Sequence, residues 1–176
     1  MFEFMDITNS KIDIDKRNTI FSQFKRVFGK IPPHLELLGN INPELLSDFL
    51  KYNMSLMKNK KFHKDYFIFI RLHTALNQNY DYCIDFNSRL LMEGGYDKSL
   101  IEKLDDIDNF PINDNLKVLA SKSYKAIFNS VEFGEKDLQE LYDSGWEISE
   151  IYQVINHIGL LEKNRRIIKA FSKSTG

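Results

Sequence analysis

The residue best suited to chemistry in this sequence is Cys83, the only cysteine among 176 residues. A cysteine thiolate is a nucleophile that can be oxidised and reduced, but a lone cysteine cannot form a disulfide within its own chain. Tyr80 precedes it by three residues and Asn87 follows it by four, so all three share one face of a helix. Tyrosine cannot form a disulfide, and an asparagine amide cannot take up a proton at neutral pH. The sequence therefore excludes a dithiol cycle at this position.

Three interpretations of Cys83 stay open. The thiol can be inert and buried, since free cysteine is among the most buried residue types. It can be a one-cysteine redox site that an external thiol reductant regenerates, or part of a pocket that binds a small molecule without thiol chemistry. His73 is the nearest candidate base, but it is more typical of a hydrogen-bonded core or interface histidine. No positive charge is adjacent to Cys83 in the sequence, and desolvation disfavours a thiolate, so we expect an unactivated thiol.

Helical periodicity extends over almost the whole chain and must position these residues. Apolar residues recur every three or four positions from Ile20 to Phe171, and no alternating pattern competes. Gly29 is suited to end a helix, Pro32-Pro33 forbids its continuation, and Asn42-Pro43 is typical of a helix start. Further helices are predicted at about 63–78, 81–93, 98–106, 114–129, 135–144 and 148–172. A helix break is predicted at 77–79.

One segment of the sequence is repeated. The pattern Leu91-x-x-x-Gly95-Tyr96-Asp97-x-Ser99-x-Ile101 recurs fifty residues later as Leu141-x-x-x-Gly145-Trp146-Glu147-x-Ser149-x-Ile151. Each copy places a glycine where a helix can end, then an aromatic residue, then an acid near the start of the next helix. We interpret the repeat as a duplicated helix-turn-helix packing unit inside one bundle.

These motifs, in this order, resemble the alkyl hydroperoxidase D and carboxymuconolactone decarboxylase superfamily. In its thiol-active members the active-site segment reads approximately as Glu, eleven residues, Cys-x-x-Cys and a His four residues past the second cysteine. Cys83 matches the second cysteine, whereas Tyr80, Asn87 and Ile68 occupy the positions of the first cysteine, the histidine and the glutamate. The resemblance covers about residues 20 to 172 through segments 28–33, 42–46, 75–76, 95, 137–151 and 164–165.

The resemblance implies an all-α, single-domain helical bundle of the alkyl hydroperoxidase D-like type. It also implies a homo-oligomer, because relatives of this fold assemble as dimers, trimers or hexamers. We interpret the chain as a divergent member without two-cysteine peroxidase chemistry. Its pocket around Cys83, lined by Ile68, Tyr80 and Asn87, is then either vestigial or a weak one-cysteine redox site of the peroxidase or antioxidant type. The alternative is a non-catalytic small-molecule-binding or structural oligomer. A decarboxylase-like enzyme is a third interpretation, and the missing acid at position 68 makes the chain less similar to that branch.

Composition and charge argue against several other classes of protein. The 24 basic and 25 acidic residues give a formal net charge of −1, which provides no field to attract nucleic acid. The apolar runs are too short for a membrane span, and residues 1–15, predicted to be a peripheral arm, lack the order of a signal peptide. We therefore expect a cytoplasmic protein. No two of the histidines have the i, i+4 spacing of a metal pair, so we expect no metal and no cofactor.

Overall fold

The fold is all-helical in the computed structural model, which describes residues 13–56 and 58–171, apart from the side chains of residues 27 and 28. These residues form nine α-helices, one short 3-10 turn and no strand, which confirms the predicted all-α fold. The helices are α1 (Ile14–Phe28), α2 (Pro33–Ile41), α3 (Pro43–Leu56), α4 (Tyr66–Asn77), α5 (Asp81–Glu93), α6 (Lys98–Ile101), α7 (Asp114–Phe128), α8 (Glu135–Asp143) and α9 (Ile148–Phe171), with the 3-10 turn at Ile107–Asn109. Within the same described residues, no helix is long and apolar enough to cross a membrane.

The first of two compact units contains α1, α2, α3 and the end of α9 from Lys163. The Asp13 side chain caps α1 by accepting a hydrogen bond from the Lys16 N–H at 2.9 Å. Helix α1 begins at Ile14, and the predicted peripheral arm of residues 1–15 stays a prediction, because residues 1–12 lie outside the described chain. Gly29, with a φ of 73°, follows the last residue of α1 as predicted.

Helix α2 is absent from the sequence-based prediction, which placed only a break at Pro32-Pro33. Pro33 is the first residue of α2, a position where proline's fixed φ suits the helix and its missing N–H is not needed. Gly39 allows α2 to approach its neighbours closely. A Cβ there would lie 2.6 Å from the ring of Phe21 in α1 and 3.1 Å from Leu46 Cδ2 in α3. The proline pair thus ends one helix and begins another.

The second compact unit contains α4 to α8 and α9 as far as Glu162. Its interior is built from aromatic and branched aliphatic side chains that are almost fully shielded from water. They are Tyr66, Phe69, Ile70, Leu72, Leu91, Leu104, Phe110, Leu116, Leu119, Leu141, Ile151, Val154 and Ile158. Burial of this apolar surface is the main force that holds the unit together. The prediction of a single domain for the whole chain stays a prediction.

A tight turn joins α4 to α5, at the break that the sequence predicted. Helix α4 ends at Asn77, and Asn79 adopts a φ of 50°, which asparagine tolerates better than most residues. The N–H of Tyr80 donates to the carbonyl oxygen of Ala75 at 3.0 Å, which satisfies one carbonyl at the end of α4. Helix α5 then begins at Asp81 and packs against α4.

The two copies of the sequence repeat form the same turn. Gly95 and Gly145 follow α5 and α8 with φ values of 92° and 85°. In each copy the N–H of the next aromatic residue donates to a leucine carbonyl, from Tyr96 to Leu91 at 3.0 Å and from Trp146 to Leu141 at 3.1 Å. These are the bonds of a glycine-dependent helix end. The repeat is therefore a duplicated helix-turn-helix unit, as the sequence indicated.

Candidate functional site

A chain of hydrogen bonds links α4 to α5 at the position of Cys83. Cys83 lies in the first turn of α5, and Asn87 lies one turn later with only 2% of its surface exposed. The Asn87 amide donates to the carbonyl oxygen of Cys83 at 2.7 Å. Its Oδ1 accepts a hydrogen bond from Nε of Arg71, on α4, at 3.0 Å. Asn87 therefore fixes the side chain of Arg71 beside Cys83.

Arg71 is a site residue that the sequence analysis missed. Its charge lies close enough to Cys83 and to His157 of α9 to affect the pKa values of both. Burial lowers the pKa of Arg71 to about 10, against the opposing effect of Cys83, so the guanidinium is charged at neutral pH. Within the described chain it makes one hydrogen bond, to Asn87, and no ion pair. The available signal was a single arginine inside the apolar run of α4.

The environment of Cys83 disfavours its thiolate. Burial raises the pKa of the thiol to about 12, and the nearby charge of Arg71 only partly opposes this shift. The sequence analysis considered only neighbours along the chain and did not include Arg71, which lies on another helix. Its expectation of an unactivated thiol stays a prediction, and desolvation, one of the two reasons given for it, outweighs the charge of Arg71.

His157 is a second residue whose role the sequence did not indicate. Its side chain is 1% exposed, and its ring meets the ring of Phe67 edge to face with centroids 5.1 Å apart. Neither ring nitrogen has a hydrogen-bond partner among the described residues. Burial lowers the pKa of His157 to about 3, and the charge of Arg71 lowers it further in the same direction. The imidazole is therefore neutral at pH 7, with one N–H donor available.

Tyr80 lies immediately before α5 and points its hydroxyl into a shielded position. The hydroxyl oxygen is buried and has no hydrogen-bond partner in the part of the chain that the structure describes. Burial raises the pKa of Tyr80, and proximity to Cys83 raises it further. The phenol therefore stays protonated and, like His157, offers an unused donor.

His73 and Ile68, the remaining predicted site residues, lie elsewhere along α4. His73 Nδ1 lies 3.0 Å from the carbonyl oxygen of Leu104, and the ring packs edge-on against Tyr124 with centroids 4.5 Å apart. Burial lowers the pKa of His73. These contacts are those of a hydrogen-bonded core histidine, and none of them joins it to Cys83. Ile68 is half-buried, in the turn of α4 before Arg71.

The grouping is therefore Cys83, Asn87 and Tyr80 from the sequence prediction, with Arg71 and His157 added by the structure. Among the described residues, no three of the side chains that commonly bind metals lie together as a potential metal site. The assembled groups comprise one cation, two neutral donors and a protonated thiol. Such a set can hold a polar or anionic molecule, but it includes no group that is poised to accept a proton at neutral pH.

Comparisons with solved structures identify the fold. An uncharacterized peroxidase-related protein from Silicibacter sp. TM1040 is similar with a TM-score of 0.76 and 20% identity, over 95% of this chain and 88% of that chain. An uncharacterized peroxidase-related protein from Ralstonia eutropha JMP134, with an alkylhydroperoxidase AhpD core, is similar with a TM-score of 0.72 and 16% identity, over 89% of this chain and 83% of that chain. No family model and no curated protein matches the sequence. The chain thus has the alkyl hydroperoxidase D-like fold.

Proposed function

We propose that this chain is a divergent protein of the alkyl hydroperoxidase D-like fold that has lost two-cysteine peroxidase chemistry and binds a small molecule beside Cys83. The observation that carries the proposal is the surroundings of Cys83. Position 80 holds a tyrosine, position 87 holds an asparagine bonded to Arg71, and burial raises the pKa of the thiol to about 12. Neither a resolving thiol nor a proton carrier stands next to Cys83.

The reactivity of the thiol tests this proposal directly, because Cys83 is the only cysteine. With a pKa of about 12, the thiolate fraction at pH 8 is roughly a thousandfold below that of an ordinary cysteine. We expect iodoacetamide to alkylate the folded protein slowly, with a rate that rises with pH through pH 10 and reaches no plateau near 8.5. The protein unfolded in urea is the matched control and should react at the ordinary rate.

Peroxide turnover is the second half of the test. We expect little consumption of hydrogen peroxide with dithiothreitol, and the same low rate after Cys83→Ser. The double variant Tyr80→Cys with Asn87→His introduces the missing thiol and imidazole, and Ile68→Glu adds the missing acid. We expect turnover to stay low in these variants while position 87 is buried beside the charge of Arg71. Rapid turnover by the wild type that Cys83→Ser abolishes would show that the peroxidase chemistry survives and that this proposal is wrong.

A one-cysteine redox site is the second candidate function, and the proximity of Arg71 to Cys83 favours it. A guanidinium beside a thiol stabilises the thiolate, so Arg71 would be the activating group if an external thiol reductant completed the cycle. Arg71→Met distinguishes the two functions. Slower alkylation is expected of this variant in either case, because the charge of Arg71 lowers the pKa of the thiol. In a redox site the variant should also lower the rate of peroxide consumption, whereas a binding site should lose ligand binding and have no Cys83-dependent peroxide consumption to lose.

We also propose that the protein is a homo-oligomer. Several large apolar side chains are exposed around the turn between α8 and α9, namely Tyr142 at 44%, Ile148 at 59% and Tyr152 at 66%. Ile148 and Tyr152 are one helical turn apart, so they share a face of α9. Adjacent exposed apolar side chains of this size are typical of surfaces that become covered by another protein.

A further inference from the structure

The guanidinium of Arg71 is the only member of the site that carries a full charge, and nothing in the described chain neutralises it. Its Nε–H is used by Asn87, which leaves the four N–H donors of its two terminal nitrogens. Those nitrogens have no hydrogen-bond partner among the described residues, and Arg71 is partly exposed to solvent. A largely buried cation is unfavourable without a partner, and proteins generally supply one. The partner here must come from outside the described chain.

A second, independent observation points to the same place. His157 is 1% exposed, its two ring nitrogens have no hydrogen-bond partner in the described chain, and it senses the charge of Arg71. A buried polar group without a partner is rare in folded proteins, because it gives up its hydrogen bonds to water. The Tyr80 hydroxyl beside Cys83 is buried and unpartnered in the same way. His157 is close enough to sense the charge of Arg71, and Tyr80 and Arg71 are both close enough to Cys83 to affect its surroundings. An acceptor with negative charge would complete this set of donors.

We propose that the site binds a small oxoanion with one negative charge, such as the carboxylate of an organic acid, at the terminal nitrogens of Arg71 beside Cys83. This inference rests on the proposed binding function and adds the chemical class of the ligand. Two parallel N–H groups of a guanidinium match the two oxygens of a carboxylate. The neutral imidazole of His157 and the hydroxyl of Tyr80 donate without adding charge. A single cation balances a monoanion, so a phosphate dianion is the poorer fit.

Calorimetric titration tests the proposal with four probes at constant ionic strength: sodium benzoate, sodium acetate, sodium phosphate and neutral benzamide. We expect saturable binding of benzoate and acetate, weaker binding of phosphate and none of benzamide. Arg71→Met should weaken benzoate binding roughly tenfold or more, because a hydrogen-bonded ion pair is lost. Arg89→Met is the matched control, since it removes one positive charge from α5 outside the site and should leave affinity unchanged.

A direct spectroscopic readout keeps the test valid if Arg71→Met does not fold. Benzoate should shift the NMR signals of the His157 ring C–H groups in the wild type. The variant Arg71→Lys should retain the positive charge but bind benzoate more weakly than the wild type. Absence of saturable binding of benzoate and acetate by the wild type would overturn the inference, and so would equal affinity for benzoate and benzamide. The latter result would leave the proposed binding function intact. Rapid Cys83-dependent peroxide turnover would instead defeat the proposed function without changing the anion affinity.

Discussion

Replacing His157 with glutamine should make the protein less sensitive to mild acid. The buried imidazole has a folded pKa of about 3, whereas a histidine in an unfolded chain titrates near 6.5. Because the folded value is the lower one, protonation favours the unfolded state. The contribution of His157 to the free energy of unfolding is therefore fully present above pH 6.5, falls as the pH drops below 6.5, and stops falling only near pH 3.

The size of the effect follows from these two values. Each pH unit in that window changes the free energy of unfolding by about 1.4 kcal/mol per proton, so acidification from pH 7.5 to pH 5 should cost about 2 kcal/mol through His157 alone. This figure changes little for any folded pKa below 4, since the imidazole is then neutral throughout the range. Aspartate and glutamate side chains in unfolded chains titrate near 4, so most of the effect lies above their range.

Urea denaturation of the wild type and of His157→Gln at pH 7.5 and pH 5 is the assay. The fluorescence of Trp146, the single tryptophan, reports on the unit that contains His157. Comparing the two pH-induced changes cancels the other titrating groups, including His73, whose pKa burial also lowers. Protein concentration must be held constant, because assembly would contribute to stability.

Two results would refute the reasoning. Equal losses of stability in the wild type and the variant would mean that the imidazole is not held neutral in the folded protein. A His157 ring signal that moves between pH 7.5 and pH 5 in the native state would mean the same. The first measurement is thermodynamic and the second is local, so agreement between them excludes a change in the unfolded state as the cause.

Three further predictions concern the turn, an ion cluster and assembly. Asn79→Ala should lower the free energy of unfolding by about 1 kcal/mol, because the left-handed backbone at φ 50° disfavours a Cβ, while Asn79→Gly should be neutral or stabilising in urea denaturation. Asp137→Asn should lower the melting temperature at pH 7, because Lys125, Lys122 and the Gly134 N–H hold the pKa of this carboxyl well below its usual range. The difference in melting temperature between the wild type and the variant should shrink as the pH falls below about 4. A difference that does not depend on pH would contradict this cause. Light scattering after size exclusion at tens of micromolar should give a mass well above 20.7 kDa, and a clean monomer would contradict the proposed oligomer.

The sequence was informative where the structure depends on local interactions. The bounds of α5 at 81–93, the break at 77–79 and the two glycine turns follow from periodicity, helix ends and left-handed residues, all of which act within a few positions. Helix α2 was missed for a local reason as well. A proline pair was interpreted only as a helix stop, although Pro33 is equally suited to the first turn of the next helix.

The site was less predictable because its decisive contacts are remote in the sequence. Cys83 and Asn87 lie one turn apart in α5, as the spacing predicted, and Tyr80 immediately precedes that helix. Their grouping as a site stays a prediction. Arg71 lies on α4 and His157 on α9, and periodicity cannot show which residues of different helices meet. The pKa of Cys83 also depends on how deeply the thiol is buried and how close Arg71 lies to it, and the spacing of residues in the sequence predicts neither.

The Arg71–Asn87 hydrogen bond shows that this site differs from the thiol-active pattern by more than one substitution, because Asn87 binds a residue of another helix. The resemblance places a proton-carrying histidine at position 87, whereas Asn87 supplies an oxygen that accepts from Arg71 at 3.0 Å. A histidine there would be buried and would face the guanidinium, and burial and the positive charge both disfavour protonation of an imidazole, as they already do for His157. Asn87→His alone would therefore add a ring that cannot carry a proton at neutral pH. Recovery of the relay would require solvent access at position 87 and removal of the Arg71 charge, and the second change would also remove the proposed anion site.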